Sequence, residues 1–296
     1  MGVYTLNKRR LAMNKKSKFK DKVVVITGAS SGIGRSTAFE FAREGAKTVL
    51  VSRSAEKLER VADEIRGFNP NVLVVPTDIS LRGQVHEMVE KVLSEFGRID
   101  VLFNNAGSSY VGRIEDENFI ENTKKMIDVD YFGTVYTTKD VLSVMQKQGS
   151  GHIMNMSSVV GRKAFPHFGG YSSAMHAISA FTDSLRQELS GSGINVSIIH
   201  PALTRTPLLD HVRAEDMPPP FRGMTPISVE SVAQAVVNGV YYNQARIIIP
   251  FQPKLLLLAD AISPRIGDVI VKLLSNKVFS RLLGTYHGKL YHEIKY

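Results

Sequence analysis

Cysteine is absent from the 296 residues, which excludes disulfide frameworks, cysteine-ligated zinc and thiol nucleophiles and gives no reason to expect an oxidising compartment. Also missing is any run of about 18 apolar residues, the length a membrane-spanning helix needs. Acids are scarce at the start of the chain. Within residues 1–22, eight lysines and arginines stand against Asp21 alone, and no apolar stretch follows them, so a secretory leader is not expected. Such a basic arm attracts anionic surfaces, but a solvated extension over residues 1–20 is the simpler expectation. Neither nucleic acid nor a metal is an expected partner, and the cytoplasm, or its membrane face, is the expected location.

What is present is a chain 43% hydrophobic and 22% charged with a formal net charge of +9, long enough for one large α/β domain. From Lys22 onward, short β-branched apolar runs alternate with helix-period segments, the pattern of a doubly wound parallel sheet with crossover helices on both faces. Strands are predicted at 23–27, 48–52, 72–76, 101–104, 152–156, 196–200 and 247–250. Helices are predicted at 33–44, 55–66, 81–96, 118–148, 171–190 and 229–240. Residues 21–250 read as one unit, with a Pro-rich substrate lid at about 203–226 and an amphipathic extension at 251–296.

Gly28, Gly32 and Gly34 fall between the first strand and the first helix, where backbone N–H groups and a positive helix end suit a pyrophosphate. At the end of the second strand, where an acid would bind the ribose of NAD, stand Ser52 and Arg53. A hydroxyl and a guanidinium can instead hydrogen-bond a 2′-phosphate. NADP(H) is therefore expected over NAD.

The spacing Thr-Gly-x-x-x-Gly-x-Gly, followed by Asp78 in "TDIS", "NNAG" at 104–107, Ser158 in "NMSS", Tyr171 thirteen residues later and "HPALTRTP" at 200–207, resembles the short-chain dehydrogenase/reductase family over about residues 20–250. The resemblance implies a Rossmann-like fold that exchanges hydride with a carbonyl or alcohol carbon. It places Ser30, Ser31 and Ile33 in the phosphate loop, and Asp78 and Ile79 at the adenine. Asn105, Ala106 and Gly107 would support the adenosine ribose, and Pro201, Thr204 and Thr206 would lie beside the nicotinamide. Tyr171 would transfer the proton and Ser158 would hold the substrate oxygen. It further implies a homodimer or homotetramer formed through helices 118–148 and 171–190.

Three positions depart from that pattern. Met175 stands one helical turn after Tyr171, where the family has a lysine; a thioether carries no charge and donates no hydrogen bond. His176 lies about 100° around the helix and does not replace it. Asp130 stands where the family has an asparagine whose carbonyl holds a relay water, and its carboxylate is expected to alter the charge balance of the site. Ala202 after Pro201, in place of a glycine, is a milder change. An engineered knock-out, a natural cofactor-binding pseudoenzyme and an enzyme with another proton route all fit the loss of the lysine.

Leu208, Leu209, Met217, Phe221 and Met224 are expected to form an apolar lid, with Tyr110, Phe165 and Phe168 as further walls. From Ile266, apolar residues recur at Val269, Ile270, Leu273, Leu274, Val278, Leu282 and Leu283 opposite Lys272, Lys277 and Arg281, a stripe suited to docking, dimerisation or a membrane surface. Lid and stripe together suggest a lipophilic carbonyl or alcohol substrate, such as a long-chain ketone, retinoid, steroid or sphingoid base.

Overall fold

A computed structural model describes residues 19–209, 212, 217–221 and 224–276. Most of the basic arm and the stripe beyond Asn276, with Lys277, Val278, Arg281, Leu282 and Leu283, lie outside the described residues. Seven parallel strands form one sheet in the order β3-β2-β1-β4-β5-β6-β7. They are β1 (Val23–Thr27), β2 (Lys47–Ser52), β3 (Val72–Pro76), β4 (Val101–Asn104), β5 (Gly151–Met156), β6 (Ile194–Pro201) and β7 (Arg246–Ile249). β1 is buried along its whole length, as the continuous run Val-Val-Val-Ile-Thr requires of a strand covered on both faces.

The crossover helices are α1 (Gly32–Arg43), α2 (Ala55–Arg66), α3 (Arg82–Phe96), α4 (Phe119–Met126), α5 (Gly133–Gln148), α6 (Gly169–Glu188) and α7 (Val229–Tyr241). One face of the sheet packs on α1, α2 and α7 through Phe41, Leu58, Ile65 and Val236, and the other on α3, α5 and α6 through Met88, Val92, Val141, Met145 and Leu185. Phe41 is fully buried and meets Phe19 edge to face at 5.0 Å; truncating such a buried phenylalanine to alanine costs about 3–5 kcal/mol. The chain reverses its direction of winding between β1 and β4, so the carboxyl ends of these strands open a crevice.

The long helix predicted over 118–148 is interrupted. Between α4 and α5 a π-helical turn covers Ile127–Phe132. Close packing bounds it: a methyl group on Gly133 would sit 2.6 Å from Ile79 Cδ1. After β7 the chain forms two helices, α8 (Pro253–Ile262) and α9 (Pro264–Leu274), separated at Ser263-Pro264 because proline starts a helix well and continues one badly. Lys163 Nζ ties this hairpin to the segment after β5, 2.8 Å from Asp260 Oδ1 on α8 and 2.7 Å from Asp268 Oδ1 on α9.

Candidate active site

Every catalytic and cofactor-binding residue named from sequence except Gly34 lines one cavity of about 760 Å³ at the carboxyl ends of the strands, a volume in the usual range for cofactor sites. Gly34 lies behind the loop: a methyl group there would be 2.3 Å from the Gly28 carbonyl oxygen, so only glycine lets α1 approach β1 this closely. Gly28 and Gly32 take φ of +69° and +54°, values that carbon side chains resist. No side chain caps the start of α1 at Ser31, which leaves its first N–H groups for an anion. The cradle fits a pyrophosphate.

Asn105 holds the loop from below, donating from Nδ2 to the Thr27 carbonyl at 3.0 Å and from its backbone N–H to Thr27 Oγ1 at 2.9 Å. Asn104 ties the central strands together, donating to Asn155 Oδ1 and Thr138 Oγ1, both at 2.9 Å. Asp78 Oδ1 accepts from the backbone and hydroxyl of Ser80. At the end of β2, Ser52 Oγ is buried without a hydrogen-bond partner. Arg53 is exposed beside it, and Lys57, which sequence reasoning missed, lines the same end of the cavity. The signal for Lys57 was its place one helical turn after Arg53 and Ser54.

At the opposite end stand Ser158 and Tyr171. Ser158 is held from two sides: its Oγ accepts from Val160 N at 3.3 Å, and its carbonyl accepts from His200 Nδ1 at 3.0 Å. Burial pushes His200 down to about 4, so at neutral pH it acts as a neutral donor. Tyr171 is hydrogen-bonded to Ser158, yet its phenol is raised above the usual tyrosine value, first by burial and then by proximity to Asp130. Met175 lines the cavity one turn on, 4% exposed, within an apolar cluster that includes Val160, Phe168 and Ile178. His176 is turned away, its Nδ1 donating to the Ser172 carbonyl at 2.8 Å.

Asp130 differs from its sequence expectation. It is 1% exposed, Oδ1 accepts from Ser108 N at 2.7 Å and Ser108 Oγ at 3.1 Å, and Oδ2 has no partner. Burial outweighs the two Ser108 hydrogen bonds and raises its carboxyl to about 8. At pH 7 it is therefore mainly a neutral acid, not the carboxylate read from sequence.

The apolar end is lined by Phe168, Leu203, Leu208 and Phe221. Phe165 packs behind, with its ring 4.9 Å from that of Phe221, and Met217 is buried with them. Tyr110 instead donates to Asp116 Oδ2 at 3.1 Å. Thr206 and Pro207 close the cavity over Gly32, and Thr204 joins Ile227 in an isolated bridge.

A family model described as short chain dehydrogenase matches residues 22–217. An uncharacterized oxidoreductase of Staphylococcus saprophyticus is 40% identical over 205 residues, covering 67% of this chain and 80% of that protein. Among solved structures, a 3-ketoacyl-(acyl-carrier-protein) reductase from Brucella melitensis complexed with NADH superposes with a TM-score of 0.71 at 27% identity, covering 78% of this chain and 98% of the other. An alcohol dehydrogenase from the archaeon Thermococcus sibiricus complexed with 5-hydroxy-NADP gives 0.65 at 29% identity, over 77% and 94%. With this match, its cofactor cradle and its Ser158–Tyr171 pair, the chain belongs to the short-chain dehydrogenases.

Proposed function

We propose that the protein is an NADP(H)-dependent oxidoreductase that interconverts a carbonyl and an alcohol on a lipophilic substrate, at a rate held down by Met175. The observation that carries this reading is one cavity with the hydrogen-bonded Ser158–Tyr171 pair at one end and, at the other, the unpartnered Ser52 hydroxyl beside Arg53 and Lys57. Those groups suit a 2′-phosphate, and no acid takes the place that would repel it. NADP is therefore favoured over NAD, although relatives are seen with either.

Bound nicotinamide supplies or accepts the hydride. The protein's own part is to place the substrate oxygen against Ser158 Oγ and Tyr171 Oη, to give the developing alkoxide a proton from the phenol, and to exclude water with Phe168, Leu203 and Phe221. With no cation at position 175 the phenolate is poorly stabilised, which slows alcohol oxidation most. The same feature supports a second reading, a catalytically silent NADP-binding protein.

We further infer that residues 21–250 form the catalytic unit, that α4–α5 and α6 pair two copies of the chain, and that the α8–α9 hairpin meets a membrane surface. In support of the last, Leu255, Leu258, Ile262, Ile266, Val269 and Leu273 are all exposed on the two helices. Among the described residues no helix is long and apolar enough to cross a membrane. The test is NADPH oxidation by the purified protein with a panel of long-chain ketones, retinoids, steroids and sphingoid ketones. Saturable turnover with at least one is expected; NADPH binding without turnover on any selects the silent binding protein.

A further inference from the structure

Asp130 is costly where it stands. A carboxyl group 1% exposed, with one oxygen unpartnered and no cation paired to it among the described residues, costs more to bury than an amide that could make the same Ser108 contact. It sits in a π-helical turn, a feature that often marks functional positions. It lines the cavity with Tyr171, and the phenol senses its charge.

We propose that Asp130 stores a proton as a neutral carboxylic acid and returns it to Tyr171 after each carbonyl reduction, replacing the proton route that a lysine at position 175 would have served. The proposal rests on the oxidoreductase reading above. The carbonyl carbon gains hydride from reduced nicotinamide, the carbonyl oxygen takes the phenolic proton, and the Tyr171 phenolate takes the proton of Asp130 through water in the cavity that both line. The Asp130 carboxylate then recovers a proton from solvent. Asp130 acts only through Tyr171, so it is a positioning residue and not a catalytic one. The transfer runs downhill, because the acid is raised to about 8 while the phenol stands above its ordinary value.

The arrangement also sets direction. Near neutral pH both groups hold protons, which suits reduction; oxidation needs the phenolate, to which Ser158 offers a hydrogen bond but position 175 no charge.

Other charged groups around the turn have different engagements. Lys125 on α4 lines the cavity but is exposed and paired with Glu121 at 2.6 Å, and Lys124 is exposed. Asp128 in the turn, and Lys139 and Lys147 on α5, are exposed, while Asp140 meets His86 at 3.6 Å. On α6, Asp183 pairs with Arg186 and Arg246.

The test uses the full chain with two readouts. In the cofactor-free protein, difference infrared titration is expected to show a protonated-carboxyl stretch at pH 7 that is lost around pH 8 and is missing from Asp130→Asn. In steady-state reduction with NADPH, kcat is expected to fall as pH rises through about 8. Asp130→Asn should lower kcat roughly tenfold or more at pH 7, leave KM for NADPH unchanged and remove that alkaline limb. Ser108→Ala, which deletes a hydrogen bond to the ionised form, should shift the limb upward. A carboxyl already ionised at pH 7, or an alkaline limb that persists in Asp130→Asn, overturns the proposal. If the wild type reduces no carbonyl in the panel, the oxidoreductase reading falls and the donor role with it, while the infrared band still reports whether the proton is stored.

Discussion

Replacing Met175 with lysine restores a charge on the face of α6 that already carries Tyr171. Residues four apart on a helix have Cβ atoms about 6 Å apart. An ammonium brought to about 6 Å from the phenolate oxygen, with an effective dielectric constant of about 20, stabilises it by about 3 kcal/mol, or about two pKa units. Near neutrality, where Tyr171 is almost wholly protonated because burial raises it, that corresponds to about a hundredfold more phenolate. Alcohol oxidation with NADP, which needs the phenolate as base, should therefore accelerate by up to about a hundredfold, with its pH profile moved toward neutrality. Reduction, which starts from the phenol, should gain much less. Initial rates in both directions between pH 6 and 10, with cofactor binding measured on the same samples, separate the two effects. Unchanged oxidation in a folded Met175→Lys protein that binds NADP would refute the claim that the missing cation limits this site.

Arg53→Ala should weaken NADPH by about ten- to a hundredfold, the loss of one charge-assisted phosphate contact, and leave NADH nearly unchanged; calorimetry with each cofactor checks it. Glutamates at Leu258 and Val269, exposed at 63% and 56%, should abolish co-flotation with anionic vesicles without altering melting or oligomeric size, and a change in either of those would mark the face as packing surface instead. The native carboxyl of Asp130 titrates near 8, above an unfolded value near 4. The unfolded chain thus loses this proton first, and the wild type loses stability as pH rises from about 4 to 8. Asp130→Asn should remove that slope, gaining on the order of several kcal/mol at pH 8 relative to pH 4, as thermal melts at both pH values would show.

The strands were legible because each is a short, mostly apolar run between helix-period segments, and all seven predicted runs became strands. The glycine loop was legible because its glycines answer local steric demands. The π turn was not. Ile127–Phe132 keeps a helical pattern of side chains, and the close packing beside it, Gly133 against Ile79, joins residues that no local pattern connects. The state of Asp130 was hidden for the same reason: a residue name carries no burial, and enclosure turned an expected carboxylate into an acid. In the lid, Leu208 and Phe221 face the cavity as expected, whereas Tyr110 was claimed by Asp116, six residues away. In the tail, the described part of the stripe counted from Ile266 lies on α9, but the preceding α8 and the hairpin the two form were not read, and the tie from Lys163 to Asp260 and Asp268 joins positions about a hundred residues apart that no periodicity connects.

The proposed function requires that this cavity move hydride between NADP(H) and a lipophilic carbonyl. The most direct measurement is a turnover with NADPH deuterated at the transferring position of nicotinamide C4, using wild-type protein and the ketone that gives the highest rate, followed by mass spectrometry of the alcohol. One deuterium on the carbinol carbon, and its disappearance in Tyr171→Phe, is the expected result. Label that stays on the bound cofactor with every carbonyl offered would contradict the account.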